Sequence, residues 1–324
     1  QKIKMIKVGI IGGAGYTAGE LLRILINHPQ VEIAFVNSTS NAGNKLYSVH
    51  GGLIGETEME FTDELPFEQI DALFICSGHG DSKKFIESHE IPTNIKIIDL
   101  SQDYRDESCD FIYGLPEINR ERIRKAQKLA NPGCFATCIQ LGLLPLVSAG
   151  LIKDEIHTNG ITGSTGAGVK PSSTSHFSWR NNNISIYKAF NHQHLIEIGA
   201  TMRKLQKGFN YNINFLPVRG DFARGIFVSS YTTCDLSEEE LIKLYKDFYK
   251  DAAFTHVMDA NLDLKQVVNT NKALVHVEKH GDKVLVLSAI DNLLKGASGQ
   301  AVQNFNLMFG LDEKAGLNLK ANAF

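Results

Sequence analysis

Cys134 stands where a thiol can act as a nucleophile. It follows the turn Asn131-Pro132-Gly133, which ends a short apolar run, and it opens an apolar stretch of helical period that begins Phe135-Ala136-Thr137. That spacing puts the sulfur at a helix N-terminus, where free backbone N–H groups and the positive end of the helix dipole favour a thiolate. A thiolate is the form that attacks a carbonyl carbon. The same residues also suit a small buried thiol that happens to follow a turn, and the local pattern leaves both readings open. Asn191-His192-Gln193-His194 is the second constellation. Read as strand, two histidines two apart point to opposite faces, so that one enters a site while the other packs. An imidazole near a thiolate stabilises it and can carry protons; an ordinary hydrogen-bonded pair is the alternative. No further ligands lie nearby at metal-binding spacing, so no metal is expected.

These groups need a scaffold. Lys7-Val8-Gly9-Ile10-Ile11 has the composition of a buried first strand, and Glu20-Leu21-Leu22-Arg23-Ile24-Leu25 carries helical spacing. Between them lies Gly12-Gly13-Ala14-Gly15-Tyr16-Thr17-Ala18, a glycine turn of the form G-x-x-G-x-x-A. Strand, glycine turn and helix are the context in which a backbone can cradle a dinucleotide diphosphate; a plain strand-to-helix turn is the competing reading. A second strand, Val31–Val36, ends in Asn37-Ser38-Thr39-Ser40, with no acidic side chain to grip a ribose 2′-hydroxyl. That neutrality favours NADP(H) over NAD, with Ser38 and Ser40 facing the cofactor and Lys45 the nearest cation. Further strands at Ala72–Cys76 and Lys96–Leu100 complete an alternating pattern, so the first part reads as a doubly wound parallel sheet of the Rossmann type with its site at the strand C-terminal ends.

After about residue 150 strands dominate, at Ile213–Pro217, Gly225–Thr233, Ala273–Glu278 and Val284–Ala289, with one helix announced by the capping box at Ser237 and Glu240. This predicts an α+β domain on a largely antiparallel sheet. Gly160–Pro171 reads as a small-residue loop whose backbone N–H groups could nest an anion. The run from Ser288 to Asn304 predicts a strand end, a turn that brings Asn292 within reach of the cofactor amide, and a late helix that returns to the first domain. The expected division is residues 1–148, 149–295 and 296–324.

The whole chain has 324 residues, 43% of them hydrophobic and 21% charged, with a net charge of -3. That describes an ordinary globular enzyme of two domains and excludes the basic field of a nucleic-acid binder. No run is long enough to span a bilayer and no signal-peptide layout is present. Five scattered cysteines without C-x-x-C pairs point to reduced thiols and a cytoplasmic setting.

Taken in order, Gly15-Tyr16-Thr17, Tyr113-Gly114-Leu115-Pro116-Glu117, Asn131-Pro132-Gly133-Cys134, Gly166-Ala167-Gly168, His192-Gln193-His194, Arg224-Gly225-Ile226 and the Ile290–Asn306 stretch resemble the N-acetyl-γ-glutamyl-phosphate reductase family, within the aspartate-semialdehyde dehydrogenase-like group. The resemblance runs over nearly the whole chain. It implies NADP(H) as cofactor, a Rossmann domain completed by the C-terminal helix, and a middle catalytic domain that makes homo-oligomer contacts in a dimer or tetramer. It puts the nucleophile on Cys134, the acid–base on His192 or His194, a substrate-binding cation on Arg224, and a site-lining loop on Ser164, Gly166 and Gly168. It implies arginine biosynthesis and reduction of an acyl phosphate through a Cys134 thioester. Aspartyl phosphate or another acyl phosphate, or a non-catalytic NADP-binding sensor, are the rival readings. The chain departs from the family at Thr39, which replaces an Arg, at Leu195–Ile198, where the family has Pro-Glu-Ile after the histidines, and at Arg219-Gly220-Asp221-Phe222, which replaces a more apolar stretch. Such changes near the site leave the acyl group on the substrate amine open.

Overall fold

The computed structural model describes residues 5–322. The chain divides into two compact units: one runs up to Pro132 and takes in Ala297–Asn318, and the other spans Gly133–Gly296.

The first unit is built on six parallel strands. They are β1 (Ile6–Ile11), β2 (Val31–Asn37), β3 (Ala72–Ile75), β4 (Lys96–Asp99), β5 (Phe111–Tyr113) and β6 (Lys128–Ala130), in the order β2-β1-β3-β4-β6-β5. Every residue of β3 is buried, as a strand covered on both faces must be. Helices α1 (Tyr16–Leu25), α2 (Asp81–Ser88) and α3 (Pro116–Arg124) make the connections. The chain leaves β1 to one side for β2 and crosses to the other side for β3, so the switch point lies between the C-terminal ends of β1 and β3. The three-residue strands β5 and β6 are too short to announce themselves by composition, and sequence reasoning passed over them.

The second unit opens with α4 (Cys134–Ser148), in which every residue between the two ends is buried. A helix apolar all round belongs in the middle of a core. It packs on β10 (Ile226–Thr233) and β13 (Lys283–Ile290) of the second sheet. This is why the boundary falls at Pro132/Gly133 and not at residue 148. Pro145 lies inside α4 and has no N–H to give to the carbonyl of Leu141, four residues back. The hydroxyl of Tyr249 donates to that carbonyl, and Tyr245 does the same for Gly142. Both tyrosines come from α7 (Glu238–Tyr249), which begins with the expected Ser237/Glu240 capping box.

The sheet itself has seven strands in the order β11-β12-β13-β10-β7-β9-β8. The others are β7 (Ile156–Thr162), β8 (Ser185–Ile186), β9 (Ile213–Arg219), β11 (Thr255–Val257) and β12 (Ala273–His280). Pairing is antiparallel except β7 with β9 and β11 with β12. Gly160–Thr162, read as loop, is the end of β7. The segment of the two histidines is not strand: His194 opens α6 (His194–Leu205), which packs against α4.

The last helix, α8 (Gly299–Met308), is buried at all ten positions and packs on α1 and α3 of the first unit. Two of its asparagines are paired inward. Asn304 donates to the Gly114 carbonyl and to Asn131 Oδ1, and Asn306 Oδ1 meets His28 Nε2 at 3.0 Å. Among the described residues no helix is long and apolar enough to cross a membrane.

Candidate active site

In the first unit the glycine turn sits at the switch point. Gly12 has φ +73°, a left-handed backbone that favours glycine, and a Cβ there would lie 2.9 Å from the Cys76 backbone. The turn therefore lies flat on the chain leaving β3. Cys76 itself is a core thiol, its pKa pushed up to about 12 by burial. His79 accepts from the Gln102 amide through Nδ1. Gly13 donates to the Asn37 carbonyl and Gly15 to the Gly12 carbonyl. Gly15 then caps α1 with no side chain across the first-turn amides of Tyr16 and Thr17. After β2, the Asn41 amide donates to both the Ser38 and Ser40 hydroxyls at 3.1 Å. Lys45 lies 3.7 Å from a Glu58 oxygen and 3.0 Å from a Glu60 oxygen.

In the second unit Cys134 is the first residue of α4, half-buried, with Gly133 as N-cap. The Gly133 amide donates to the buried carboxylate of Glu197 at 3.1 Å. Glu197 lies on α6, so the helix that carries His194 is tied directly to the residue before the thiol. Gly296 closes the other side: a Cβ there would sit 2.9 Å from the Cys134 Cβ. It belongs to a π-helical turn, Leu294–Ser298, a distortion often found at functional sites.

The two histidines lie together at the start of α6, both nearly buried, at 4% and 6% exposure, and their ring centroids are 4.6 Å apart. They do not occupy opposite faces of a strand; the helix start folds them onto one another. His192 Nδ1 accepts from the His194 amide at 3.2 Å. Phe135, Tyr187 and Phe215 meet the His192 ring edge-on. Burial in this cage, with Lys188 and Arg219 nearby, pulls the His192 pKa down to about 4. His192 is thus neutral in the fold at pH values where an unfolded histidine, with its ordinary value near 6.5, is already charged. Its contribution to stability is complete above about pH 6.5 and is lost as the pH falls toward 4, by roughly 3 kcal/mol. Melting curves of the native chain and His192→Leu across pH 7 to 4 should converge as the pH falls; parallel curves would mean that His192 titrates freely.

The family models match both units. Residues 7–126 match the semialdehyde dehydrogenase NAD binding domain and residues 134–292 the semialdehyde dehydrogenase dimerisation domain. Aspartate semialdehyde dehydrogenase II from Vibrio cholerae, solved with ASA, superposes with a TM-score of 0.73 at 17% identity, covering 95% of this chain and 99% of that one. The Candida albicans aspartate semialdehyde dehydrogenase solved with NADP gives 0.72 at 15% identity, covering 97% and 99%. At such identities the likeness is one of fold. The N-acetyl-gamma-glutamyl-phosphate reductase of Phocaeicola vulgatus is 64% identical over 322 residues, 99% of this chain and 100% of that protein. That of Flavobacterium johnsoniae is 54% identical with the same coverage. The chain belongs to the N-acetyl-gamma-glutamyl-phosphate reductase family.

As a member of that family the chain is an NAD(P)-dependent oxidoreductase acting on a small molecule. The structure adds partners to three groups singled out in the sequence of this reductase. The Ser164–Gly168 loop is not an open nest. The amides of Ser164 and Thr165 donate to the carbonyls of Phe222 and Ala223, and those of Gly166 and Gly168 to carbonyls of the loop itself. Asn292 accepts from the Gly225 amide and donates to the Thr165 hydroxyl, so its amide group braces this loop where a cofactor contact was expected. Arg224 is matched by a carboxylate: it donates from Nε at 3.1 Å and from Nη2 at 3.2 Å to fully buried Asp291.

Asp291 and Glu197, the two carboxylates that organise the site, went unnoticed in the sequence, as did Tyr187. The partners that tie them into the site, Gly133 for Glu197, Arg224 for Asp291 and His192 for Tyr187, are not adjacent in the chain, and no spacing rule connects them. Among the described residues no group of three or more His, Cys, Asp or Glu side chains could hold a metal ion.

Proposed function

We propose that the chain reduces an N-acyl-γ-glutamyl phosphate with NADPH to the N-acyl-glutamate 5-semialdehyde and phosphate, a step of arginine biosynthesis. N-acetyl is the acyl group in the relatives' name. The observation that carries this reading is the half-buried thiol at the first position of α4, tied through Gly133 and Glu197 to the helix that bears the histidine pair.

The helix N-terminus holds Cys134 as thiolate. Its sulfur attacks the acyl carbon, the C–O bond to phosphate breaks, and phosphate leaves with the electron pair; a thioester remains on Cys134. When bound, NADPH supplies the hydride that reduces the thioester carbonyl. The resulting hemithioacetal loses its C–S bond, releasing the aldehyde and the Cys134 thiolate. His194 serves as acid–base for the carbonyl oxygen, with His192 as its positioning partner. This assignment is supported by the low pKa of His192 and by its Nδ1, which is committed to the His194 amide. His194→Asn should lower kcat about 10²–10⁴-fold with NADP affinity retained. A larger loss of kcat in His192→Asn would reverse the two roles.

Gly12, Gly13, Ala14, Gly15, Tyr16 and Thr17 would hold the diphosphate of NADP(H), because the turn exposes uncapped amides at the start of α1. Ser38 and Ser40 present no negative charge against a 2′-phosphate. Ser164, Gly166, Gly168 and Arg224 line the substrate side. A homo-oligomer, pairing through the sheet face that bears Ile161 and the stacked His157 and Tyr231, suits the matched dimerisation domain. A cytoplasmic location suits five unbridged thiols.

The test is phosphate-dependent reduction of NADP by N-acyl-glutamate semialdehydes beside aspartate semialdehyde. The glutamate compounds should react at least about a hundredfold faster in kcat/KM, a discrimination well within reach of a fitted pocket. Equal or faster turnover of aspartate semialdehyde would overturn the assignment.

A further inference from the structure

The segment Arg219–Phe222, where this chain departs from its family, lies against Arg180, so that two positive charges, Arg219 and Arg180, meet one carboxylate, Asp221. Arg219 ends β9, and its guanidinium lies over the Tyr187 ring, 4.6 Å from the centroid. Tyr187 in turn meets the edge of His192, so the cation stands one side chain away from the histidine pair. Arg219 Nε is buried and has no hydrogen-bond partner. Arg180 lies behind it, 7% exposed and stacked on Trp179. Its bonds go to uncharged acceptors: the carbonyls of Thr174, Asn183 and Arg219 and the Ser185 hydroxyl. Arg180 Nε is likewise buried without a partner. The neighbouring acid, Asp221, is exposed and accepts from the Asn182 amide. Arg180 and Asp221 border a cleft of about 310 Å³ that also reaches Ser164 of the site loop.

Desolvating a guanidinium is costly unless a partner compensates it. Two of them side by side, with nitrogens left unpaired, are the makings of an anion site. Every substrate of this family carries the glutamyl α-carboxylate, so that group requires no departure from the family pattern. The acyl group on the amine is the part that can differ, and an acetyl group, being neutral, offers these arginines nothing.

We propose that Arg219, backed by Arg180, recognises a carboxylate at the far end of the substrate's N-acyl group, so that the preferred acyl is the half-amide of a dicarboxylic acid and not acetyl. This rests on the reaction proposed above. A guanidinium–carboxylate contact at a half-buried site changes affinity by about tenfold to a hundredfold.

The experiment compares N-succinyl- and N-acetyl-glutamate semialdehydes as probes in phosphate-dependent NADP reduction. The native enzyme should favour the succinyl compound at least tenfold in kcat/KM. Arg219→Leu should lose at least tenfold more on the succinyl than on the acetyl compound, mainly through KM. Arg219→Lys, which keeps the charge without the fork, should fall between and guards against a leucine variant that fails to fold. A native preference for acetyl, or equal losses on both compounds, would overturn the inference. Calorimetry with unreactive N-succinyl- and N-acetyl-glutamate separates the two proposals: tighter succinyl binding without turnover of either semialdehyde sinks the reaction and keeps the subsite, and equal binding sinks the subsite.

Discussion

Cys134→Ser should lose turnover by at least about 10³-fold while binding NADP with unchanged affinity. The exchange removes little volume, because the residue is half-buried at the helix start and a hydroxyl is only slightly smaller than a thiol. Thermal stability should therefore hold within about 1 kcal/mol. What disappears is the thiolate. A serine hydroxyl is not ionised by a helix N-terminus alone, and Glu197, the carboxylate nearest in the network, is bonded to the Gly133 amide. Rapid quenching of the native enzyme with acyl phosphate and no cofactor should show a mass adduct on Cys134, absent in the variant. Residual activity within tenfold of native would remove the thioester from the mechanism.

Asp291→Ala should cost both stability and catalysis. This carboxylate has no solvent exposure and accepts from Arg224 twice, from the Asn269 amide at 2.8 Å and from the Leu293 amide at 2.8 Å. Its removal deprives a guanidinium and several buried amides of their acceptor at once, for which a loss of about 3–5 kcal/mol is expected. That corresponds to roughly a 10 °C fall in Tm for a chain of this size. Arg224 and the turn leading to Gly296 lose their fixed positions together, so kcat/KM should drop about a hundredfold or more. Arg224→Leu combined with Asp291→Ala should be far less destabilised than the two single losses added, because the pair is coupled. Additive losses would show that Asp291 serves the amides and not the arginine.

The features readable in the sequence are those governed by local chemistry. The turn before Cys134, the glycine run after β1 and the capping box of α7 each depend on residues within a few positions of one another. The histidines were misplaced because nothing before His194 announces a helix. Gln193 caps without a side-chain bond, and exposed Ile196 inside Leu195–Ile198 imitates a strand. The buried face of α6, with Glu197, Ile198, Thr201 and Met202 at helical spacing, was the signal available. The partners of Asn292 and of the Ser164 loop were not legible for a different reason: their amides meet Thr165, Phe222, Ala223 and Gly225, and composition does not reveal which polar groups meet. Arg219 could be seen as a departure from the family, but its pairing with Arg180 could not.

The burial of α8 against α1 and α3 bears on how the chain is made. During synthesis the six parallel strands leave the ribosome first, yet the helix that covers α1 and α3 follows only after the whole of the second unit. At about 5–20 residues per second that interval is on the order of ten seconds. Throughout it Gly114 lacks the Asn304 donor and His28 lacks Asn306, while the apolar surface that Phe305 will cover stays open to chaperones and proteases. The packing of the first unit is therefore completed last, after the unit that carries the thiol has already been free to fold.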